Sequence, residues 1–263
     1  MPTILQNGGV QTARIGYENI FALAEATITA SSEASGFEKE NVADWKQYDW
    51  WAPTAGGTQW IAGAFTAAKQ VDYMAVWGHN LHDVAGSVKA QYSTDAGVTW
   101  VDATTAVHPS TGRTIFININ LTFAANWRCL TASNAAVIIA GVQFGRAIVF
   151  DRDVTNGFSP ASLSPVVESK IAKSELGVNL GVSVLRTGVN GSIELTNLSP
   201  DWIRNEWSEL VTHLNFGKPC VFSWDNSQHA DEAILIWKSE QIPAPSYITP
   251  MLMSASLSFK GIL

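Results

Sequence analysis

The chain has 263 residues, enough for one large or two medium domains with real cores. Its net charge is -7, with only 16 basic residues and no basic run, which argues against a nucleic-acid backbone as partner. Hydrophobic residues make up 46% and charged residues 15%, a charge-poor balance that suits a protein burying surface against other subunits. No window approaches the roughly 18 uncharged apolar residues of a membrane span. The start, MPTILQNGGVQTARIG, lacks the basic and apolar regions of an export signal, so neither a membrane partner nor secretion is expected.

Residues 1 to 25 carry short apolar pieces, Thr3 to Leu5 and Ile20 to Leu23, and read as an extended lead-in or edge strand. Strands follow at 26–30 and 59–65, separated by a polar loop rich in aromatics at Trp45, Tyr48, Trp50 and Trp51. Val71 to Trp77 is apolar at nearly every position except Asp72, the mark of a strand covered on both faces. Ser87 to Ser93 alternates Val88, Ala90 and Tyr92 with polar residues, so it reads as a strand with one buried face. After the Asp95-Ala96-Gly97 turn the chain returns through Val98 to Val101. The alternation Ile115, Ile117, Ile119, Leu121 and two further strands at 126–132 and 136–144 complete an antiparallel sandwich or jelly roll.

Composition shifts near Arg146 to Pro160, which places a domain boundary there: residues 1–148 form the jelly roll with its lead-in strand, and 149–263 form a smaller β-rich unit. The overall class is all-β, mainly antiparallel, with one α-helix near 200–214. Ser199-Pro200-Asp201 supplies an N-cap, a proline at the first helical position and an acid at the positive end of the dipole. Ile203, Trp207, Leu210, Val211 and Leu214 then recur at helical spacing, and Gly217 and Pro219 end the run. Strands flank the helix at 167–173, 181–186, 191–195, 220–224, 233–237 and 251–259.

Several constellations bear on function. Ser93 to Trp100 matches the S-x-D-x-G-x-T-W Asp-box at every specified position, with Asp95, Gly97 and Trp100 as a structural hairpin. It occurs once, which excludes a propeller that repeats it in each blade. His79, His82 and Asp83 are weak metal candidates, since a site needs three or four converging ligands and no other His or Cys motif completes this one. Asn41, Asp44 and Asp49 are a weak calcium set whose spacing is not that of an EF-hand. Trp45, Trp50 and Trp51 are the candidate platform on which a sugar ring would stack. Cys129 and Cys220 each sit in an apolar run and read as buried free thiols, suited to a reducing cytoplasm. The sequence contains no G-x-S-x-G, H-E-x-x-H or phosphate-loop motif, so no catalytic residue and no cofactor is expected and the chain reads as a non-enzyme.

Taken together, Ala30-Ser31-Ser32, Ser35-Gly36-Phe37, Asn41-Val42, Trp50-Trp51-Ala52-Pro53, Gln59-Trp60-Ile61, Val71-Asp72-Tyr73, Gly78-His79-Asn80-Leu81 and Tyr92-Ser93-Thr94-Asp95 resemble the galactose-binding-like jelly rolls of the discoidin superfamily. The opening Ile15 to Phe21 and the run Phe216-Gly217-Lys218-Pro219 before Val221 to Asp225 are similar to minor tail or distal tail proteins of long-tailed bacteriophages. The second resemblance implies a structural component of a phage tail tip or baseplate. Such a chain would form a homo-oligomeric ring, trimer or hexamer, on the tail tube beside other baseplate proteins, made in the host cytoplasm and carried in the virion. The alternative is a carbohydrate-binding module recognising a host surface glycan, with a hydrolase a distant third.

Overall fold

The computed structural model describes residues 13–152, 158–225 and 232–262. The expected piece Thr3 to Leu5 lies outside them. Two antiparallel sheets carry the chain, as expected for an all-β fold with one helix.

The first unit is a jelly-roll sandwich built on two long strands. β3 (Gly57–His79) and β6 (Ile115–Ser133) pair along most of their length, with β2 (Thr27–Ala30), β4 (Ser87–Ser93), β5 (Val101–Asp102) and β7 (Ile139–Gly145) added at their sides. Sequence reading divides β3 and β6 into two strands each, because Lys69-Gln70 and Thr122-Phe123 interrupt the apolar alternation. The structure joins each pair through a register shift between Ala64 and Lys69. That irregularity bends the ladder so that its two halves face one another across a common core. Trp51, Trp127, Phe144, Ile61, Val76 and Val88 fill it. The return strand after the Asp-box turn is only two residues long, and Val98 stays exposed because the turn motif itself occupies the residues up to Trp100.

The second sheet runs β8-β1-β11-β12-β14-β10-β9, with β13 also on β14. Its members are β1 (Arg14–Gly16), β8 (Ala147–Val149), β9 (Val166–Lys173), β10 (Asn179–Leu198), β11 (Cys220–Ser223), β12 (Ile234–Lys238), β13 (Ser246–Thr249) and β14 (Leu252–Ile262). β1 pairs with β8 on one side and β11 on the other. The lead-in strand assigned by sequence to the jelly roll is therefore part of the second sheet, and residues 20–145 enter and leave through it. Ile20 to Leu23, expected to be extended, instead begins with a 3-10 turn at Ile20–Ala22, whose first free amide bonds to the Asn19 side chain. That cap favours a turn over a strand.

Strand alternation explains why this sheet is covered on both sides. Cys220, Phe222, Ile234 and Ile236 face a core shared with the helix, whereas Val221, Ala233 and Leu235 face Tyr73, Ala75, Trp77 and Phe116 of the jelly roll. The helix runs as α1 (Pro200–Trp202), a π-helical turn (Ile203–Trp207) and α2 (Ser208–Asn215). Ser199 accepts the Trp202 amide at 3.2 Å, and Gly217 ends the run at φ 75°, as the sequence predicts. The layers are thus helix, sheet and jelly roll. Close approach between elements sets the glycines at two points: a Cβ on Gly16 would lie 2.3 Å from the Tyr73 ring, and one on Gly141 would lie 2.0 Å from Trp77.

A half-buried ion pair crosses the seam between the two units. Arg14 of β1 donates to Asp72 of β3 at 2.7 Å and to the Asn118 amide oxygen at 2.6 Å, while the second Asp72 oxygen accepts the Ala147 amide at 2.8 Å. Burial pushes the Asp72 carboxyl up from its ordinary range even though Arg14 pulls it down. Asp72, the one acidic residue of β3, is there to meet Arg14.

Candidate functional site

The three tryptophans proposed as a sugar platform do not share an exposed surface. Trp51 is fully buried, with its indole N–H donating to the Ser32 carbonyl at 3.0 Å. Trp45 stacks on Trp77 at 5.7 Å and meets the His213 edge of α2, so it belongs to the seam. Trp50 stacks on Phe37 at 5.7 Å, and its backbone carbonyl accepts from the Asn41 side chain. In a run of aromatics, sequence gives no sign of which ring faces out. The exposed one is Tyr48, at 76%.

The weak metal sets are dispersed in the same way. His79 is buried, and its Nε2 donates to the Arg113 carbonyl at 2.9 Å. Burial lowers its pKa to about 4. His82 turns instead to Asp83, 3.1 Å away. Lys46 sits between Asp44 and Asp49, 2.6 and 3.2 Å from their carboxylates, where a cation of that calcium set would lie.

The Asp-box forms as the sequence predicts. Asp95 accepts the Thr99 amide and hydroxyl and the Ser93 hydroxyl, Gly97 takes φ 85°, and its amide bonds to Ser93 at 2.9 Å. These donors hold the Asp95 carboxyl down at about 2. The Trp100 indole bonds back to the Gly97 carbonyl at 3.0 Å, and Arg128 lies over its ring at 4.2 Å. All of these bonds are internal to the turn and its neighbour, which is the pattern of a structural hairpin. Cys129 and Cys220 are buried free thiols, with burial pushing Cys129 up to about 12.

A cleft of about 520 Å³ opens beside Trp45, Tyr17, Glu18, Lys69, Arg146 and His213. Four of its polar side chains are already engaged with the protein. Tyr17 donates to Glu209 at 2.8 Å, Arg146 pairs with Glu206 at 2.8 Å, Lys69 pairs with Glu25, and His213 bonds to the Pro219 carbonyl. Burial raises the pKa of both Glu18 and Tyr17. The cleft is a stitched seam between helix, sheet and jelly roll.

The surface with unmet chemistry is elsewhere. β9 and the first half of β10 form a hairpin that projects beyond the second core, with every described β9 residue exposed. Its tip is ordered: Ser174 donates its amide to the Val178 carbonyl at 2.8 Å, Gly177 donates to Ser174 at 2.9 Å, and Gly177 takes φ 79°. Register places Ile171 opposite Val182, with Val184 and Val167 further along, so one face of the arm is apolar except at Ser169. That face continues the side of β10 on which Val189, Ile193 and Leu195 are buried under the helix. Along the arm nothing covers it among the described residues: Val167, Ile171, Val182 and Val184 are all at least half exposed, as are Leu176 in the turn and Leu180 beside it. At roughly 100 Å² each they expose on the order of 600 Å² of apolar surface, the upper end of what a soluble monomer carries and often functional. Sequence reading finds both strands but not this site, because apolar alternation predicts a buried face without saying which chain buries it.

No family model matches this sequence, and no curated protein matches it. Solved structures do match about half of the chain. A Ruminococcus gnavus fucosidase in complex with fucose aligns at TM-score 0.44 and 14% identity over 50% of this chain and 27% of the fucosidase, so the likeness takes in about a quarter of that enzyme. A chitosan-binding module from a chitosanase/glucanase of Paenibacillus sp. aligns at TM-score 0.42 and 22% identity, over 49% of this chain and 99% of the module. A Clostridium perfringens protein in complex with GalNAc-β-1,3-galactose aligns at 0.41 and 12%, over 46% of this chain and 96% of its own.

Proposed function

We propose that this chain is a non-catalytic structural subunit that assembles with copies of itself through the second sheet and carries the jelly roll as a displayed module. The observation that carries this reading is the β9–β10 arm: a well-formed hairpin whose apolar face has no cover among the described residues. Exposed apolar strands at a sheet edge are avoided by monomers and used by assemblies. β9 is also an outer strand of its sheet, with one row of backbone groups open to a further partner. The tail tip or baseplate of a long-tailed phage is the setting implied by the sequence resemblance of Ile15 to Phe21 and Phe216 to Asp225, and the phage setting rests on that resemblance alone. In that setting the partners are a trimeric or hexameric ring of this chain and the neighbouring tube and baseplate proteins. The test is the solution mass across a concentration series: a closed oligomer that grows in with concentration is expected, and a monomer at every concentration overturns the reading.

A second reading is glycan recognition by the jelly roll. The observation favouring it is Tyr48, an exposed ring on the loop that also carries the stacked Phe37 and Trp50. Titration of the protein with millimolar neutral and acidic oligosaccharides, followed by Trp fluorescence, tests it. Binding that weakens at least tenfold in Tyr48→Ala supports this reading, and a flat titration removes it.

A further inference from the structure

The foot of the arm holds a groove of about 680 Å³ between β9, β10, β12 and β14. Val166, Trp237 and Ile262 give it apolar walls, with Asn190 and the exposed Lys260 at the rim. Glu168, on the arm side, is already engaged. At the other end of the same arm stands a knob: Leu176, 92% exposed at the apex of the ordered turn, with the exposed Glu175 before it and Val178 after it.

We propose that the tip of the arm of one copy seats in the groove at the foot of the arm of the next, with Leu176 against Trp237 and Glu175 beside Lys260. This deepens the assembly reading and rests on it. Three features select a second copy as the occupant. The eight residues of β9 hold the tip about 26 Å from the foot, so a chain's own tip does not reach its own groove. Knob and groove are complementary, an apolar apex beside a carboxylate against apolar walls beside an ammonium. The two surfaces lie at opposite ends of one element, so every copy offers both: antiparallel arms close the contact as a two-fold pair, and a head-to-tail arrangement closes it as a ring.

The experiment uses the full chain and cysteine pairs; the native Cys129 and Cys220 are buried and stay out of the reaction. A Glu175→Cys protein is mixed with a Lys260→Cys protein under mild oxidation, beside a mixture of Glu175→Cys with Val98→Cys, which places the second thiol on the exposed Asp-box turn. A cross-linked dimer forming about tenfold faster in the first mixture than in the second is expected, because docking raises the local concentration of the two thiols. In parallel, Glu175→Lys is expected to raise the concentration for half-assembly about tenfold, and Glu175→Lys with Lys260→Glu to bring it back close to the parent value. Equal cross-linking in both mixtures, with assembly of the parent chain intact and no rescue by the charge swap, overturns this docking and leaves the assembly reading standing. A parent chain that is monomeric throughout and does not cross-link overturns both.

Discussion

The two long strand ladders of this protein are built from similar residues and end differently. β3 and β6, 23 and 19 residues long, bend at a register shift and fold over on themselves, so that the apolar side of each half is buried by the other half. β9 and β10 also form a long ladder with register shifts, but β10, at 20 residues, runs out past the helix that covers its inner half and leaves the same apolar side open. The first ladder satisfies its hydrophobic pattern within the chain. The second carries the same kind of pattern to a place where none of the described residues covers it.

That contrast predicts effects of very different size. Trp127→Ala removes a fully buried ring that meets Phe144 and Tyr92 at the centre of the folded-over ladder. A loss of about 3–5 kcal/mol is expected, measured by urea unfolding. Asp72→Ala leaves Arg14 in the seam without its carboxylate, and a loss of about 3 kcal/mol is expected, most of it regained when Arg14 is also replaced by Met.

His79 gives a pH dependence with a defined sign. Its folded-state pKa of about 4 lies below the ordinary value, so the unfolded chain binds a proton more readily between about pH 6.5 and 4. Stability is therefore full above pH 6.5 and falls as pH drops through that window. His79→Gln, which keeps a donor for the Arg113 carbonyl, is expected to flatten this part of the curve; an unchanged slope contradicts the assignment. The smallest change in stability, within about 0.5 kcal/mol, is expected for Ile171→Ser with Val182→Ser on the arm, since these side chains touch no core of their own. The same pair is expected to abolish self-association.

Much of this fold was legible in the residues. The period-two alternation at 87–93, 115–121 and 251–259 corresponds to observed strands, the Ser199-Pro200 start and Gly217 stop bound the helix, and the Asp-box closes as its spacing requires. What was hidden is long-range. Nothing local in Arg14-Ile15-Gly16 says that Ile15 lies opposite Ile148 of β8 and Phe222 of β11, 133 and 207 residues away, and nothing local in three neighbouring tryptophans says that one fills a core, one a seam and one a loop. Hydrophobic pattern reports that a face is buried. It is silent on what buries it, which is why the arm reads as two ordinary strands until the helix is seen to stop short of it.

The most direct test of the account is mass photometry or light scattering of the parent chain and of the Ile171→Ser, Val182→Ser variant over the same concentration series. The account predicts a closed oligomer for the parent and a folded monomer, with unchanged unfolding, for the variant. A variant that assembles as well as the parent would contradict it.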